Sequence, residues 1–483
     1  MVIIMNQLYK HSQTMPDKKF INSLTYRQVY TETNTLTIKL KKYIGDNNRV
    51  AIISNNSVEF AMMLLALMNL EVETLLLNSM LKNKEIKEQI DELDISVIFS
   101  SDNRYISFKE VFGTQITQPY EIDNIKAKID SNNNKNKDNK DKNNKDDKVL
   151  FIMNTSATTG RFKSVPITIN QITSHVQASK QSLGYCPDDN WLLVLPMFHV
   201  GGLMVLLRSL YNGTAITILE KFDEDKVIYL INNNKVNMVS MVPTMLRRII
   251  DRIEKHNLRV MLLGGEFIED DLINKSVKLN VSIYKSYGMT ETTSQVVNFN
   301  VLDNLDKLKS VGKPMEHVDI KIDTDKFLEH TKEGYPAGEI TIKSSMLMKG
   351  YLNKDGLSGY FCTGDIGYFD DDGFLYILDR RSNLIISGGE NIYPQEIENI
   401  LYNNPYVNEC AVISKRDPKW GNVPILFIVT ELSKEDILEY LKSQLANYKI
   451  PKEIIFRDSL PKNQTGKIMK KALRSCEYED KES

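Results

Sequence analysis

Five short stretches carry residue types that could act together on an anionic ligand. The first is Thr155-Ser156-Ala157-Thr158-Thr159-Gly160, with Lys163 shortly after, behind the apolar run Val149 to Met153. Small hydroxylated residues let backbone N–H groups and hydroxyls converge on a phosphate. The GxxxxGK[ST] spacing of a Walker A loop is absent, and read alone the stretch fits a flexible turn equally well. The second is Tyr287-Gly288-Met289-Thr290-Glu291. A hydroxyl beside a carboxylate can touch a phosphate oxygen and hold Mg²⁺. The same residues also read as a helix start, with Thr290 as N-cap and Glu291 in the first turn.

The third stretch, Thr363-Gly364-Asp365, offers a carboxylate able to accept both hydroxyls of a ribose, or simply a turn. The fourth runs from Asp379 to Pro394. Its paired Arg380 and Arg381 suit phosphate, and Gly388-Gly389 lets a ligand approach the backbone. Its plain reading is an interdomain turn with solvated charges. The fifth, Pro461 to Lys467, puts Lys467 on a glycine-containing loop. There it is either a mobile point charge reaching developing negative charge or an ordinary exposed lysine.

Alternating elements must position these residues. Val50–Ser54, Ile95–Ser100, Val149–Asn154, Trp191–Leu195, Ala215–Leu219, Met238–Val242 and Val260–Leu263 read as buried strands, with helical patterns at Leu203–Leu210 and Pro243–Ile253 between them. That alternation predicts α/β layers with mostly parallel strands. Asn56 followed by Glu59 marks a helix start before the apolar stretch Phe60–Leu70. Beyond residue 310 shorter strands at Asp319–Ile322, Glu339–Lys343 and Phe374–Leu378 are separated by turns, with Asp370-Asp-Asp-Gly373 a hairpin signal. The last hundred residues predict a separate α+β unit: helix Pro394–Tyr402, strands Cys410–Ser414 and Ile425–Thr430, helix Lys434–Leu445, strand Glu453–Phe456. Asp379 to Asn383 is the natural joint. Residues 131–148 contain no apolar side chain and predict a disordered surface loop.

The chain has 483 residues, with 61 basic and 63 acidic side chains and a formal charge of −2. This balance lacks the basic footprint of a nucleic-acid binder. Cys186, Cys362, Cys410 and Cys476 are widely spaced, excluding a disulfide scaffold or a zinc finger. Phe60–Leu70 is far shorter than the roughly 18–20 residues of a membrane span, so no stable membrane insertion is expected. Met1-Val-Ile-Ile-Met-Asn has no charged lead, and a cytoplasmic protein is expected.

In this order and spacing the five motifs resemble the adenylate-forming family, which includes acyl-CoA ligases, luciferases and carrier-protein adenylation domains. The resemblance runs from about Thr25 to Lys471. It implies an α/β fold: a large N-terminal domain of layered α/β subdomains plus a β-rich part (residues 1–381), and a small mobile α+β C-terminal domain (382–483). ATP, Mg²⁺ and coenzyme A are the implied co-substrates and cofactor, and a small-molecule carboxylic acid the partner. Whether the chain forms a homo-oligomer stays open.

By the same resemblance Thr155, Ser156, Thr158, Thr159, Gly160 and Lys163 cradle the β and γ phosphates. Thr290 touches the α-phosphate, and Glu291 holds the metal. Gly264, Gly265 and Glu266 line the adenine side, beside Tyr287 and Gly288. Asp365 takes the ribose hydroxyls, supported by Arg380. Lys467 bridges acyl oxygen and phosphate in the first step. Ser382 is the hinge that withdraws Lys467 and brings Gly388 and Gly389 to the site for thioester formation. His199 contacts the aromatic acid or gates its tunnel, or is a packed histidine at a helix start.

The strings Leu195-Pro-Met-Phe-His-Val-Gly-Gly-Leu203, Val242-Pro-Thr-Met-Leu-Arg247, Lys285-Ser-Tyr-Gly-Met-Thr-Glu-Thr292 and Ile386-Ser-Gly-Gly-Glu-Asn-Ile-Tyr-Pro394 look like the branch that activates o-succinylbenzoate for menaquinone (vitamin K2) biosynthesis. The alternatives are a ligase for another aromatic or fatty acid and an enzyme that loads a carrier protein. Ala157, Phe162 and Ser164 depart from the family's usual Gly, Pro and Gly. Ala157 narrows the φ range, which predicts a stiffer phosphate loop.

Overall fold

A computed structural model of the chain describes residues 3–102, 105–108, 111, 147–156, 162–265, 268, 270–325, 329–331, 333–352, 354, 356–387, 390–462, 466–470 and 472–474. Residues 131–146 of the 131–148 stretch, on which the expectation of a disordered loop falls, lie outside the described residues.

The apolar runs do become buried strands. Arg49–Ile53, Glu73–Leu77, Ile98–Ser100 and Val149–Ser156 lie parallel in a six-stranded sheet, extended by Ile106–Ser107 at one edge and closed at the other by the antiparallel strand Phe162–Thr168. Runs such as Val50-Ala-Ile-Ile53 are apolar on both faces because a parallel sheet is covered on both faces. A second sheet has nine strands. Its parallel centre runs Ile283–Met289, Val260–Leu263, Met238–Met241, Asn190–Leu193, Ala215–Ile218 and Lys19–Ile21, with Ser294–Asn300, Lys313–Pro314 and Leu24–Thr25 antiparallel at the margins.

Helix Val58–Leu70 joins the two sheets. Phe60 through Met68 are all buried, so this helix has no polar face, as expected where both sides meet apolar layers. One apolar core holds Val50, Leu76 and Phe151 of the first sheet together with Trp191, Leu193 and Ile216 of the second. The helix start differs from the expected one. Ser57, not Asn56, is the N-cap and accepts from Phe60 N at 3.0 Å. The Asn56 side chain instead bonds across to Leu195 O and Met197 N, 2.9 Å each, fixing the segment that leads to His199. Among the described residues no helix is long and apolar enough to cross a membrane.

The β-rich part is an antiparallel sheet of Val318–Asp323, Pro336–Ser344, Phe361–Phe369 and Leu375–Arg380, with Glu329–His330 beside Pro336–Ser344. The turn predicted at Asp370–Gly373 connects its last two strands, with Gly373 at φ +77°. The separate C-terminal domain carries its own sheet: Glu390–Ile392, Ile385–Ser387, Gly421–Thr430, Val407–Asp417 and the parallel strand Glu453–Phe456. Helices Pro394–Tyr402 and Lys434–Gln444 pack on it around Ile397, Leu401, Val412, Leu426 and Leu441.

Asp189 ties the margin of the nine-stranded sheet together. Buried at 3% exposure, it accepts from Arg259 Nε (2.6 Å), Cys186 N (2.9 Å) and Asn237 Nδ2 (3.0 Å), while Arg259 Nη1 also donates to Leu183 O at the end of helix Ile169–Leu183. Removing one partner of a buried pair leaves the other charge uncompensated. Asp189→Ala is therefore expected to lower unfolding stability by about 3 kcal/mol, read as a shifted urea midpoint; a shift below a quarter of that would show the pair is not structural.

Candidate active site

Parallel α/β sheets present ligand sites at the carboxyl ends of their strands. Here four strands of the nine-stranded sheet deliver chain to one cleft: Asn190–Leu193 leads to His199, Met238–Met241 to Thr244, Val260–Leu263 to Gly264 and Gly265, and Ile283–Met289 to Thr290 and Glu291. The cleft, about 2560 Å³, is walled on its other sides by the antiparallel sheet and the C-terminal domain.

Asp365 is the most constrained group in it. Only 4% exposed, it accepts from Tyr287 Oη at 2.7 Å through Oδ2 and faces Arg380 Nε at 3.1 Å through Oδ1. Asp365 and Arg380 are direct ladder partners on neighbouring strands. Burial raises the Asp365 carboxyl above its ordinary range, against the opposing pull of Arg380 and the Tyr287 hydroxyl. Burial and the adjacent Asp365 carboxylate push Tyr287 well up, so it stays a donor.

Glu291 and the first motif meet through a residue the sequence did not single out. Tyr351 Oη donates to Glu291 Oε1 at 2.9 Å, and Lys163 Nζ sits over the Tyr351 ring, 4.9 Å from its centre. Burial and the Glu291 carboxylate raise the Tyr351 phenol, which keeps its proton. A lone tyrosine in Lys-Gly-Tyr-Leu carries no sequence signal. Thr155 and Lys163 are paired residues of one hairpin, and both line the cleft. Ser156 ends that strand. Thr158, Thr159 and Gly160 lie outside the described residues, as do Glu266, Gly388 and Gly389.

The helix start expected at Thr290 is not formed. The strand continues to Met289, and Thr290–Thr292 make one 3₁₀ turn before the chain reverses into Ser294–Asn300. Thr290 therefore owes its place to a β-reversal, because Met289 and Ser294 pair directly. That pairing also accounts for Gly288, since a Cβ there would lie 2.0 Å from Ser294 O. A Cβ at Gly264 would lie 2.5 Å from Ser286 Oγ, so a larger residue there would displace the hydroxyl that donates to Leu263 O at 2.8 Å.

Lys467 crosses from the C-terminal domain, its Nζ 3.4 Å from Gly265 O. Ser382 is exposed in the turn closed by Asn383 N to Arg380 O, 2.8 Å. The preceding Asp379 is buried and gathers Arg380 N, Asn383 Nδ2 and Gln395 N, so the chain is anchored on both sides of Ser382. Among the described residues no three His, Cys, Asp or Glu cluster to hold a metal. A single carboxylate such as Glu291 suits Mg²⁺, which keeps waters and takes its remaining oxygens from substrate phosphates.

Two basic groups stand apart. His199 precedes helix Val200–Asn212 and is exposed to the cleft, with Phe198 edge-on at 4.8 Å. The protein packed around the cleft strips water from its imidazole and pushes it down to about 4, so it is neutral at physiological pH. Arg208, on the same helix, is wholly buried with no carboxylate against it. Its Nη2 donates to Gln295 Oε1 (2.6 Å) and Ser294 Oγ (3.3 Å), its guanidinium lies 5.1 Å from the Trp191 ring, and Nε and Nη1 have no partner among the described residues. Sequence reading missed it because it sits in the apolar helix segment Leu203–Leu210.

An AMP-binding enzyme domain matches residues 8–352, and an AMP-binding enzyme C-terminal domain matches residues 396–467. The 2-succinylbenzoate–CoA ligase of Lactococcus lactis subsp. lactis is 47% identical, over 97% of this chain and 100% of that protein. The o-succinylbenzoate CoA synthetase of Bacillus subtilis with its acyl-adenylate intermediate is 30% identical, with TM-score 0.85 over 97% of this chain and 98% of that one. Its complex with ATP and magnesium ion has TM-score 0.84 at 30% identity, over 97% and 99%. A double mutant of it bound to a product analogue covers 97% and 98% at 30% identity, but with TM-score 0.69.

For His199, histidine NMR of the whole chain is expected to give a titration midpoint near 4 that disappears in His199→Asn; a midpoint near 6.5 would show that the cleft walls do not desolvate the ring.

Proposed function

The chain belongs to the AMP-binding enzyme family, and on that premise we propose that it joins 2-succinylbenzoate to coenzyme A at the expense of ATP, in menaquinone biosynthesis. The observation that carries the reading is the approach of Lys467 to Gly265 O across the cleft from the Tyr287–Asp365–Arg380 cluster. The named relatives support the acid, and the ATP, magnesium and acyl-adenylate complexes of the Bacillus subtilis enzyme support the co-substrates.

A carboxylate is a poor electrophile because its leaving group would be oxide. In the first step its oxygen attacks the α-phosphorus of ATP, the bond to the bridging oxygen breaks, and pyrophosphate leaves with the electron pair. The products are acyl-AMP and pyrophosphate. Little covalent work falls to the protein, so positioning and charge stabilisation dominate. Asp365, with lone pairs left over after Tyr287 and Arg380, accepts the ribose hydroxyls. Thr155, Ser156, Thr158, Thr159, Gly160 and Lys163 hold the β and γ phosphates, and Thr290 the α-phosphate. Glu291 holds Mg²⁺, which when bound offsets phosphate charge. Lys467 donates to the acyl and phosphate oxygens as they come together. In the second step the coenzyme A thiol attacks the acyl carbon and AMP leaves.

Lys467 and the thiol need the same space, which calls for a second arrangement. We infer domains at 1–381 and 382–483 that turn about Ser382, exchanging Lys467 for Gly388 and Gly389. The fall in TM-score from 0.85 to 0.69 at equal coverage, between the acyl-adenylate and product-analogue complexes, supports two arrangements and likens this one to the first. The reliance on ATP and coenzyme A favours a cytoplasmic setting.

Neutral His199 at the cleft wall suits the aromatic ring.

Pyrophosphate release with 2-succinylbenzoate is expected to exceed that with benzoate, cinnamate or medium-chain acids at least tenfold; equal rates would refute the assigned acid. Lys467→Ala should lower acyl-adenylate formation by about two orders of magnitude, as for other transition-state donors. Wild-type speed would overturn the mechanism. Ser382→Pro should spare acyl-adenylate formation while blocking the thioester step, and equal loss of both would refute the hinge.

A further inference from the structure

Lys467 is exposed, so its place in the cleft depends on what holds the chain around it. Three residues on, Lys470 turns inward to helix Pro394–Tyr402, where its Nζ lies 2.7 Å from Glu398 Oε1 and 3.0 Å from Oε2. The two side chains are 21% and 12% exposed. Glu398 Oε1 also accepts from Val412 N at 2.6 Å, so the carboxylate is fixed to helix and sheet of the C-terminal domain before it meets the lysine. Asp379, at the joint beside Ser382, is the other carboxylate acting on Lys470. Met469 N donates to Pro461 O at 2.7 Å, Ile468 bridges to Lys462, and Leu473 packs with Leu460 and Ile413. These ties all lie beyond Lys467 in the chain.

We propose that Glu398 is a positioning residue for Lys467: by clamping Lys470 it sets the direction from which the Lys467 ammonium reaches Gly265 and the cleft. The proposal rests on the reading above that Lys467 serves acyl-adenylate formation. Without Glu398, the half-buried Lys470 ammonium loses the partner that turns it inward and swings out to water. That change loosens the segment from 466 to 470. A shift of about 1 Å in a positioned group can cost two orders of magnitude in rate. The second half-reaction, in which Lys467 has withdrawn, has no use for that alignment.

The test compares Glu398→Gln and Lys470→Arg in the full chain, each with and without Lys467→Ala. Pyrophosphate release from ATP and 2-succinylbenzoate reads the first step; thioester formation from supplied acyl-adenylate and coenzyme A reads the second. Glu398→Gln is expected to lower kcat of the first step at least tenfold, with KM for ATP and the rate of the second step within twofold. Lys470→Arg, which keeps the charge, should retain at least a third of the first-step rate. In the Lys467→Ala background, Glu398→Gln should add less than a twofold loss. Equal losses in both steps would show a general folding defect and overturn the proposal, as would a full additional loss without Lys467. Should Lys467→Ala itself keep wild-type adenylation, the underlying mechanism fails and the positioning role with it; intact adenylation in Glu398→Gln beside a crippled Lys467→Ala would overturn the positioning role alone.

Discussion

The carboxylate of Asp365 lies between the Tyr287 hydroxyl and the Arg380 guanidinium, and through those two contacts it joins three parts of the chain. Tyr287 lies near the end of strand Ile283–Met289 of the nine-stranded sheet, Asp365 sits within the antiparallel sheet, and Arg380 is the last residue of that sheet's strand Leu375–Arg380. A buried carboxylate persists only where donors replace lost water, so all three segments must arrive together. The same donors leave oxygen lone pairs facing the cleft. The site is thus a by-product of the way the sheets are fastened, and its rigidity comes from backbone ladders rather than from loops.

The candidate site motifs were legible because each sets an unusual residue pairing on or beside a strand. Asp365, Glu291 and Lys163 all line the cleft, and the strand runs Val149–Asn154 and Val260–Leu263, which lead to Thr155 and to Gly265, match the observed elements within two residues. The parallel order was also readable, since apolar runs without alternation need cover on both faces. What could not be read were contacts made by residues with no local pattern. Tyr351 earns its place only because Glu291 and Lys163 converge on it in space. Arg208 hides in an apolar helix, and Glu398 and Lys470 are ordinary charges in sequence, 72 residues apart.

Two local readings went astray for one reason: tertiary pairing outranked a cap signal. Asn56 has the right chemistry to start a helix, yet it spends both polar atoms on the Leu195–Met197 backbone and leaves capping to Ser57. Thr290 and Glu291 look like the first turn of a helix, but the pairing of Met289 with Ser294 turns the chain back as a hairpin. In each case the group freed from a helix end is placed at the cleft or on the segment leading to it.

Helix Val58–Leu70 has apolar side chains on every face and is shielded only when both large sheets are present. Its second cover includes Trp191, Leu193 and Ile216, and the early strand Lys19–Ile21 finds its partner at Ala215–Ile218. A growing polypeptide therefore emits this greasy segment well over a hundred residues before its shelter exists. During synthesis the nascent chain would be a natural client for chaperones, and fragments ending before residue 190 should be sticky rather than native.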